Sequence, residues 1–517
     1  MRIIDFFDNG VRFYRQKCAF KDDSGCLSYG EADDQVRRIG AAIKGRGYKK
    51  QTHIGILAPN SNIAFVALLG IFRAEGVWLP INPRNPVSVN ADLLLRFDCE
   101  VLFYHGSYAE ESRQLRKMVP SIREMVCLTN DDPAGLSLHV WLAGQGDSCD
   151  PGPEEPGDLF AIFPTGGTTG KSKGVMISHR NVECMFAHMW SHFTYRENSN
   201  HLVIAPMTHT AGLFGCLHFA KGGCNTILPG ADIPRILSMI EQERITHLFV
   251  PPTVMYMMLA HEGARRHDYS SLEHFFVGAA PTSLDKLRAA LEVFGPVMTE
   301  VYGQSEAPAT ITLKAPWDYR DASGAVIDRR LASIGQAGMF NQVAILNPDG
   351  RELPRGDAGE ICVRGPLVTP GYYKNEDATR EVRAYGWHHT GDVGIMDEDG
   401  FISIVDRMKD MVITGGFNVY PNEIEQVLNL HPAVYECAVI GVPDDKWGEA
   451  VNAFVVLKAG YQADEPELIT LVKDHLGSVK APKKVHLVDD LPRSPVGKIL
   501  KSELRKKFWV GRDKAVA

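Results

Sequence analysis

No two of the ten cysteines stand in a C-x-x-C pair, so the sequence offers neither a zinc knuckle nor a thioredoxin-like redox motif. Scattered buried thiols in a reducing cytosol are the expectation. Long apolar runs are missing as well: the longest clean one covers 63–72, far short of the roughly 20 residues a membrane-spanning helix needs. The opening MRIIDFFDNG puts Asp5 and Asp8 where a signal peptide would need its apolar core, which argues against secretion. A soluble, cytoplasmic protein without a membrane span is expected. Excess positive charge is also absent, with 55 Lys+Arg against 63 Asp+Glu and a net charge of -8. That balance withholds the diffuse positive field of non-specific nucleic-acid binding, so nucleic acid is not the expected partner. Neither a repeat of about 20 to 50 residues nor a low-complexity tract interrupts the chain.

What is present is globular texture, 44% apolar and 23% charged over 517 residues, enough for roughly two to four domains. The first half repeats a short apolar run, a Gly, Pro or polar break, and a helical pattern. Residues 53–58 read as a buried strand, Asn60 or Ser61 as the cap of a helix ending near Ala74, and 77–81 as the next strand. Segments 102–104, 159–163, 202–205, 226–228 and 247–250 continue this rhythm, which belongs to parallel sheets covered by helices on both faces. After about Gly324 the texture turns to hairpins, with strands at 342–346 and 359–364 and turns at Asn347-Pro348-Asp349-Gly350 and Asp397-Glu398-Asp399-Gly400. From Asp410 onward, strand-like 411–414, 436–441 and 453–457 alternate with helix-like 422–430 and 466–476. The expected fold class is α/β: a large N-terminal domain of helix-covered parallel sheets plus a small β subdomain over 1–405, a charged hinge at 406–410, and an α+β C-terminal domain over 411–517.

The most informative segment is Pro164-Thr165-Gly166-Gly167-Thr168-Thr169-Gly170-Lys171-Ser172-Lys173-Gly174, directly after an apolar strand. Its glycines let backbone approach a phosphate, its threonines offer hydroxyl donors and its lysines supply charge. Such a loop suits a polyphosphate. It is not a Walker A loop, which would need Gly at the position of Thr165 and a helix afterwards, whereas 175–177 reads as a strand.

Five further elements follow: Tyr302-Gly303-Gln304-Ser305-Glu306, Trp387-His388-His389-Thr390-Gly391-Asp392, Asp406-Arg407-Met408-Lys409-Asp410, Gly415-Gly416-Phe417-Asn418-Val419-Tyr420-Pro421 and Pro495-Val496-Gly497-Lys498. With the phosphate loop and in this order, they make the whole chain resemble the AMP-forming acyl-CoA synthetases of the adenylate-forming superfamily, relatives of firefly luciferase and nonribosomal-peptide adenylation domains. The resemblance implies a role for each element. Thr165, Gly166, Gly167, Thr168, Thr169, Gly170 and Lys173 would cradle the phosphates of ATP. Tyr302 and Gly303 would lie against the purine, Ser305 would hydrogen-bond the α-phosphate, and Glu306 would hold Mg²⁺. Asp392 would accept from the ribose hydroxyls, with Arg407 as a second contact. Gly278, Ala279 and Ala280 correspond to the small-residue strand end between the adenine and acyl sites, and His209 to a gate near the acyl pocket and thiol entry. Gly415 and Gly416 would line the pantetheine tunnel, with Trp447 at its coenzyme A end. Lys498 would neutralise charge as carboxylate meets phosphate.

Read without the family, Asp392 is a turn cap, His209 a core histidine, Trp447 a surface ring and Lys498 one solvated lysine among Lys501, Lys506 and Lys507. The cluster Lys480, Lys483 and Lys484 reads as a solvated face or as a contact for the CoA phosphates. Two departures from the family pattern stand out: Ser172 where Pro is common, and Asp406 where Gly often precedes Arg407. The implied enzyme is an AMP-forming carboxylic acid–CoA ligase using ATP, Mg²⁺ and coenzyme A, with a mobile C-terminal domain that swings about Lys409. Two alternatives stay open: loading of a carrier-protein phosphopantetheine supplied in trans, since the sequence ends soon after Lys498, and a non-catalytic nucleotide- or acyl-binding protein. A homodimer is the default assembly. The sequence identifies neither the acid nor the base that deprotonates the thiol.

Overall fold

The computed structural model describes residues 1–129, 135–155, 157–165, 172–321, 323–493 and 499–509. Short apolar runs become parallel strands, as expected. His53–Leu57, Val77–Pro80, Val101–Tyr104 and Glu124–Cys127 lie in parallel within an eight-stranded sheet. A second, nine-stranded sheet holds Cys18–Asp22, Cys224–Ile227, Asn200–Val203, His247–Val250, His274–Gly278 and Met298–Gln304 in parallel, with antiparallel strands at both edges. Burial on both faces explains why these strands read as continuous apolar runs rather than alternating ones. One core cluster spans the large domain and includes Phe7, Phe20, Phe65, Phe160, Phe186 and Phe219.

Helix Asn62–Arg73 is capped by Ser61, whose Oγ accepts from Ala64 N at 3.4 Å, which decides between the two expected caps. Asn60 does something else. Its buried amide donates to the carbonyls of Ile204, Ala205 and Leu228 at 3.2, 3.0 and 3.1 Å, and its Oδ1 accepts from Met207 N at 2.8 Å. One side chain thereby ties the first sheet to the 204–209 segment of the second.

The thiol expectation needs a correction. Cys18 and Cys26 form a disulfide across the N-terminal hairpin, with Cα atoms 6.1 Å apart. The turn between Cys18–Asp22 and Gly25–Ser28 folds the two residues back on one another, a proximity that a search for C-x-x-C spacing does not test. The other eight cysteines are free, and only Cys224 of them is not fully buried. A second unexpected feature is a ladder of buried histidines. His201, His247 and His274 are register partners on adjacent strands, and His218 stacks on His201 at 5.1 Å and meets His247 edge-on at 4.8 Å.

The small β subdomain is a four-stranded antiparallel sheet of Gln342–Leu346, Ala358–Arg364, His388–Met396 and Ile402–Arg407. Beyond it, Val412–Thr414, Phe417–Val419, Val434–Asp444, Gly448–Leu457 and Lys484–Leu487 form a separate sheet. This sheet has apolar clusters of its own: Ile424, Leu428, Val439, Val451 and Leu468 in one, Ile440, Phe454, Leu491 and Leu504 in the other. The expected hinge begins inside a strand, because Asp406 and Arg407 still pair in Ile402–Arg407 before a single turn over Met408–Asp410. Among the described residues, no helix is long and apolar enough to cross a membrane.

Candidate active site

Strands Leu159–Thr165 and Lys173–Ser178 are antiparallel neighbours, with Thr165 opposite Lys173 and Pro164 opposite Gly174. This hairpin flanks the candidate phosphate loop. Gly166, Gly167, Thr168, Thr169 and Gly170 lie outside the described residues. Gly174 has no room for a side chain, since a Cβ there would stand 2.5 Å from the Phe97 ring. Lys173 leaves the loop with its ammonium 4.9 Å from the Tyr372 ring centroid, and the Tyr372 hydroxyl donates to Glu306 Oε1 at 2.6 Å. Phosphate-loop lysine and candidate metal carboxylate are therefore linked through one phenol. Burial, and then the Glu306 charge, push the Tyr372 hydroxyl far above its ordinary range, so it donates at any working pH. Sequence reasoning missed Tyr372, which sits in an unremarked Gly371-Tyr372-Tyr373 run.

Ser305 and Glu306 occupy the tight turn between Met298–Gln304 and Ala307–Lys314. The turn is pinned by Thr369 N, which donates to the Glu306 carbonyl at 2.9 Å. Gly303 is required there, because a Cβ would lie 2.5 Å from Ala309 N and 2.7 Å from Ala307 O. Three residues before the turn, the Tyr302 hydroxyl donates to Asp392 Oδ2 at 2.6 Å. From the other side, Arg407 Nε meets Asp392 Oδ1 at 3.1 Å. Asp392 and Arg407 are register partners across their strands, so the sheet itself sets this ion pair. The Asp392 charge holds the Arg407 guanidinium above its ordinary value, against partial burial. Burial and the same carboxylate hold the Tyr302 phenol protonated.

A second bridge fixes the two motifs to one another. Gln304 Nε2 donates to Thr390 O at 3.1 Å, and its Oε1 faces His388 Nε2 at 3.0 Å. Burial drops His388 to about 4, so a neutral imidazole N–H completes that contact. Tyr302, Gly303, Ser305, Glu306, Asp392 and Arg407 are thus brought together around one hairpin and one strand pair. Gly278, Ala279 and Ala280 follow at the carboxyl end of His274–Gly278, beside the Tyr302 strand, with Gly278 opposite Val301. Ala279 has φ +69°, a left-handed conformation costly for a residue with a side chain. His209 stands at the N-cap position of helix Thr210–Cys216, without a side-chain cap bond, at the end of the loop that Asn60 anchors.

In the C-terminal sheet, Gly415 (φ +58°) and Gly416 (φ +82°) make the turn between Val412–Thr414 and Phe417–Val419. Gly415 N donates to Trp447 O at 2.8 Å. The half-exposed Trp447 ring carries the ammonium groups of Lys446 at 4.7 Å and Lys483 at 5.8 Å, whereas Lys480 is engaged with Glu423. Lys498 lies outside the described residues; just beside it, Arg493 and Ile499 form an antiparallel bridge. At the chain junction, the Asp406 carboxylate accepts from Arg407 N at 2.7 Å and from Asn422 N at 2.8 Å. It caps the first helix of the C-terminal sheet domain, a bond that Gly at this position cannot make.

Comparison with known proteins identifies the family. The family model described as AMP-binding enzyme matches residues 7–373, and the AMP-binding enzyme C-terminal domain model matches 423–498. A medium/long-chain-fatty-acid–CoA ligase, FadD8, of Mycobacterium tuberculosis is 34% identical over 505 residues, covering 95% of this chain and 87% of its own. A feruloyl-CoA synthase of an Amycolatopsis species is 34% identical over 500 residues, covering 95% and 96%. Among solved structures, ATP-bound MatB from Rhodopseudomonas palustris superposes with a TM-score of 0.88 at 30% identity, covering 98% of this chain and 99% of that one. The chain belongs to the AMP-binding enzyme family.

Proposed function

We propose that the protein activates a carboxylic acid with ATP to an acyl-adenylate and pyrophosphate, then transfers the acyl group to coenzyme A and releases AMP. The observation that carries this reading is the convergence of Tyr302, Asp392 and Arg407 one turn away from Ser305 and Glu306. Asp392, with one bond to each oxygen, keeps lone pairs for the two ribose hydroxyls. The Tyr302 ring supplies a purine face, and Ser305 on the turn reaches the α-phosphate. The carboxylate oxygen of the acid attacks the α-phosphorus, the bond to the bridging oxygen breaks, and pyrophosphate leaves. Lys173 and Lys498 offset the charge that gathers as one anion approaches another.

The Glu306 carboxylate, partly exposed on its turn beside the phosphate loop, is a hard oxygen donor suited to Mg²⁺. When bound, Mg²⁺ neutralises phosphate charge. In the second half-reaction the C-terminal domain over 411–517 swings about the 406–410 hinge, withdrawing Lys498 and presenting Gly415 and Gly416. The CoA thiol gives up its proton to solvent, its sulfur attacks the acyl carbon, and AMP departs with the bonding electrons of the broken carbon–oxygen bond of the mixed anhydride. Trp447 with Lys446 and Lys483 offers a ring and two cations to the nucleotide end of CoA. His209, at the end of its anchored loop, stands as the gate between acyl pocket and thiol. The relatives' names point to medium- to long-chain or aromatic acids as substrates and to fatty acid metabolism.

Acid-dependent exchange of labelled pyrophosphate into ATP, scanned over a panel of fatty and aromatic acids, tests the first step. Adding CoA or a carrier protein as competing acceptors tests the second. Acid-dependent exchange and CoA-dependent AMP release are expected. No exchange with any acid would leave only a binding protein, and AMP release with the carrier alone would move the acceptor.

A further inference from the structure

Beneath the strand that carries Asp392, one set of three metal-ligating side chains converges among the described residues: Glu360, Cys362 and His389, with one ligand atom from each within 4.8 Å of the others. The geometry follows from the sheet. Glu360 and Cys362 are two apart on Ala358–Arg364 and share a face, and His389 is the register partner of Cys362 on His388–Met396. A register shift between Glu360 and Cys362 leaves Thr390, Gly391 and Asp392 bulged opposite them.

His389 Nε2 lies 3.2 Å from Ala384 O. A carbonyl only accepts, so Nε2 carries the N–H. In the neutral ring, Nδ1 then presents a lone pair, 2.6 Å from Glu360 Oε2 and 3.4 Å from Cys362 Sγ. Two bare lone pairs at that separation repel, and the contact requires a proton or a cation between them. The surroundings are those of a cation site: the second ring nitrogen donates to a backbone carbonyl, and the other carboxylate oxygen, Oε1, is oriented by Gly391 N at 2.9 Å. Gly391 adopts φ +72°, a left-handed turn that glycine makes without a steric penalty. Cys362 is buried, while the Glu360 and His389 side chains remain 15% and 17% exposed, which gives an ion a way in.

We propose that Glu360, Cys362 and His389 bind one thiophilic divalent cation of the zinc class, with water as the fourth ligand. Oxygen, nitrogen and sulfur together suit Zn²⁺ and disfavour Mg²⁺, so this site is separate from the phosphate-associated one. As the sulfur–metal bond forms, the thiol proton passes to solvent and no electron is transferred. The bound ion would clamp two strands directly under the bulge that carries Asp392.

The test uses the full-length protein, stripped with a chelator and titrated with Zn²⁺ against a chromophoric competitor, and separately with Co²⁺. One equivalent of Zn²⁺ and a near-ultraviolet thiolate-to-cobalt charge-transfer band are expected. Cys362→Ser should abolish the band, and His389→Gln or Glu360→Gln should weaken Zn²⁺ binding by at least about 10-fold. The cobalt spectrum of the unmodified protein needs no variant to fold. Absence of the band there, or a band and affinity that persist in Cys362→Ser, would overturn the site and identify the contact as an imidazolium bonded to Glu360.

Discussion

The Tyr302–Asp392–Arg407 brace and the glycine turn of the C-terminal sheet are built in opposite ways. Tyr302, Asp392 and Arg407 are side chains from three strands, locked by bonds of 2.6 and 3.1 Å and cross-tied by Gln304. Gly415 and Gly416 have no side chains to lock, and their turn is held by a backbone bond to Trp447. The first surface is preorganised, so binding there costs little reordering. The second presents bare backbone, which can dock against a bound ligand and leave again without repacking anything. An enzyme that performs two reactions at one site needs one surface of each kind.

Breaking the brace should have the largest effect. Asp392→Ala removes two charge-assisted bonds and the ribose acceptor, each bond worth about 1.5–3 kcal/mol, so the KM for ATP should rise about 100-fold or more in pyrophosphate exchange. An unchanged KM would remove Asp392 from the nucleotide site.

Acid should separate the two regions. His201 and His274 fall to about 4 through burial, and His218 and His247 are also lowered, first by burial and then by neighbouring histidines, His247, His201 and His274 acting on His218, and His274 and His201 on His247. All four belong to the nine-stranded sheet or its helical cover. Their neutral forms stabilise the fold fully above the ordinary value of about 6.5. As pH falls from there towards 4, the unfolded chain takes up protons that the folded one cannot. Stability drops by up to about 1.4 kcal/mol per pH unit for each histidine. Urea midpoints at pH 7.5 and 5 should show the large domain losing stability while the C-terminal sheet changes less. Equal loss in both would contradict the assignment.

Smaller effects sharpen the same contrast. Tyr302→Phe deletes one hydroxyl from the brace and should raise the KM for ATP about 3- to 10-fold. Gly415→Ala places a Cβ 2.9 Å from the Trp447 ring in a left-handed turn, a strain of about 1–2 kcal/mol. Thioester formation should slow several-fold, with the exchange reaction much less affected. If both half-reactions fell equally, the glycine turn would not be specific to the second.

Much of this was legible because burial and spacing leave marks in a sequence. Continuous apolar runs announced the parallel strands, and the order of the motifs announced the family. What escaped notice depends on contacts between distant residues. Asn60 looked like a helix cap until its amide was seen to bridge to 204–207. Tyr372 carried no motif, yet it joins Lys173 to Glu306. The Cys18–Cys26 bond and the Glu360–Cys362–His389 cluster arise from strand register, which a linear reading does not supply. Asp406 was visible as a departure from glycine, but its bond to Asn422 N needed the fold.

Lys498→Ala, measured in each half-reaction, asks whether one site serves both reactions by exchanging lobe surfaces. Exchange of lobe surfaces requires pyrophosphate exchange to fall by at least about 100-fold, the scale of a lost electrostatic stabiliser, while thioester formation from supplied acyl-adenylate and CoA survives. Exchange at the unmodified rate would contradict it.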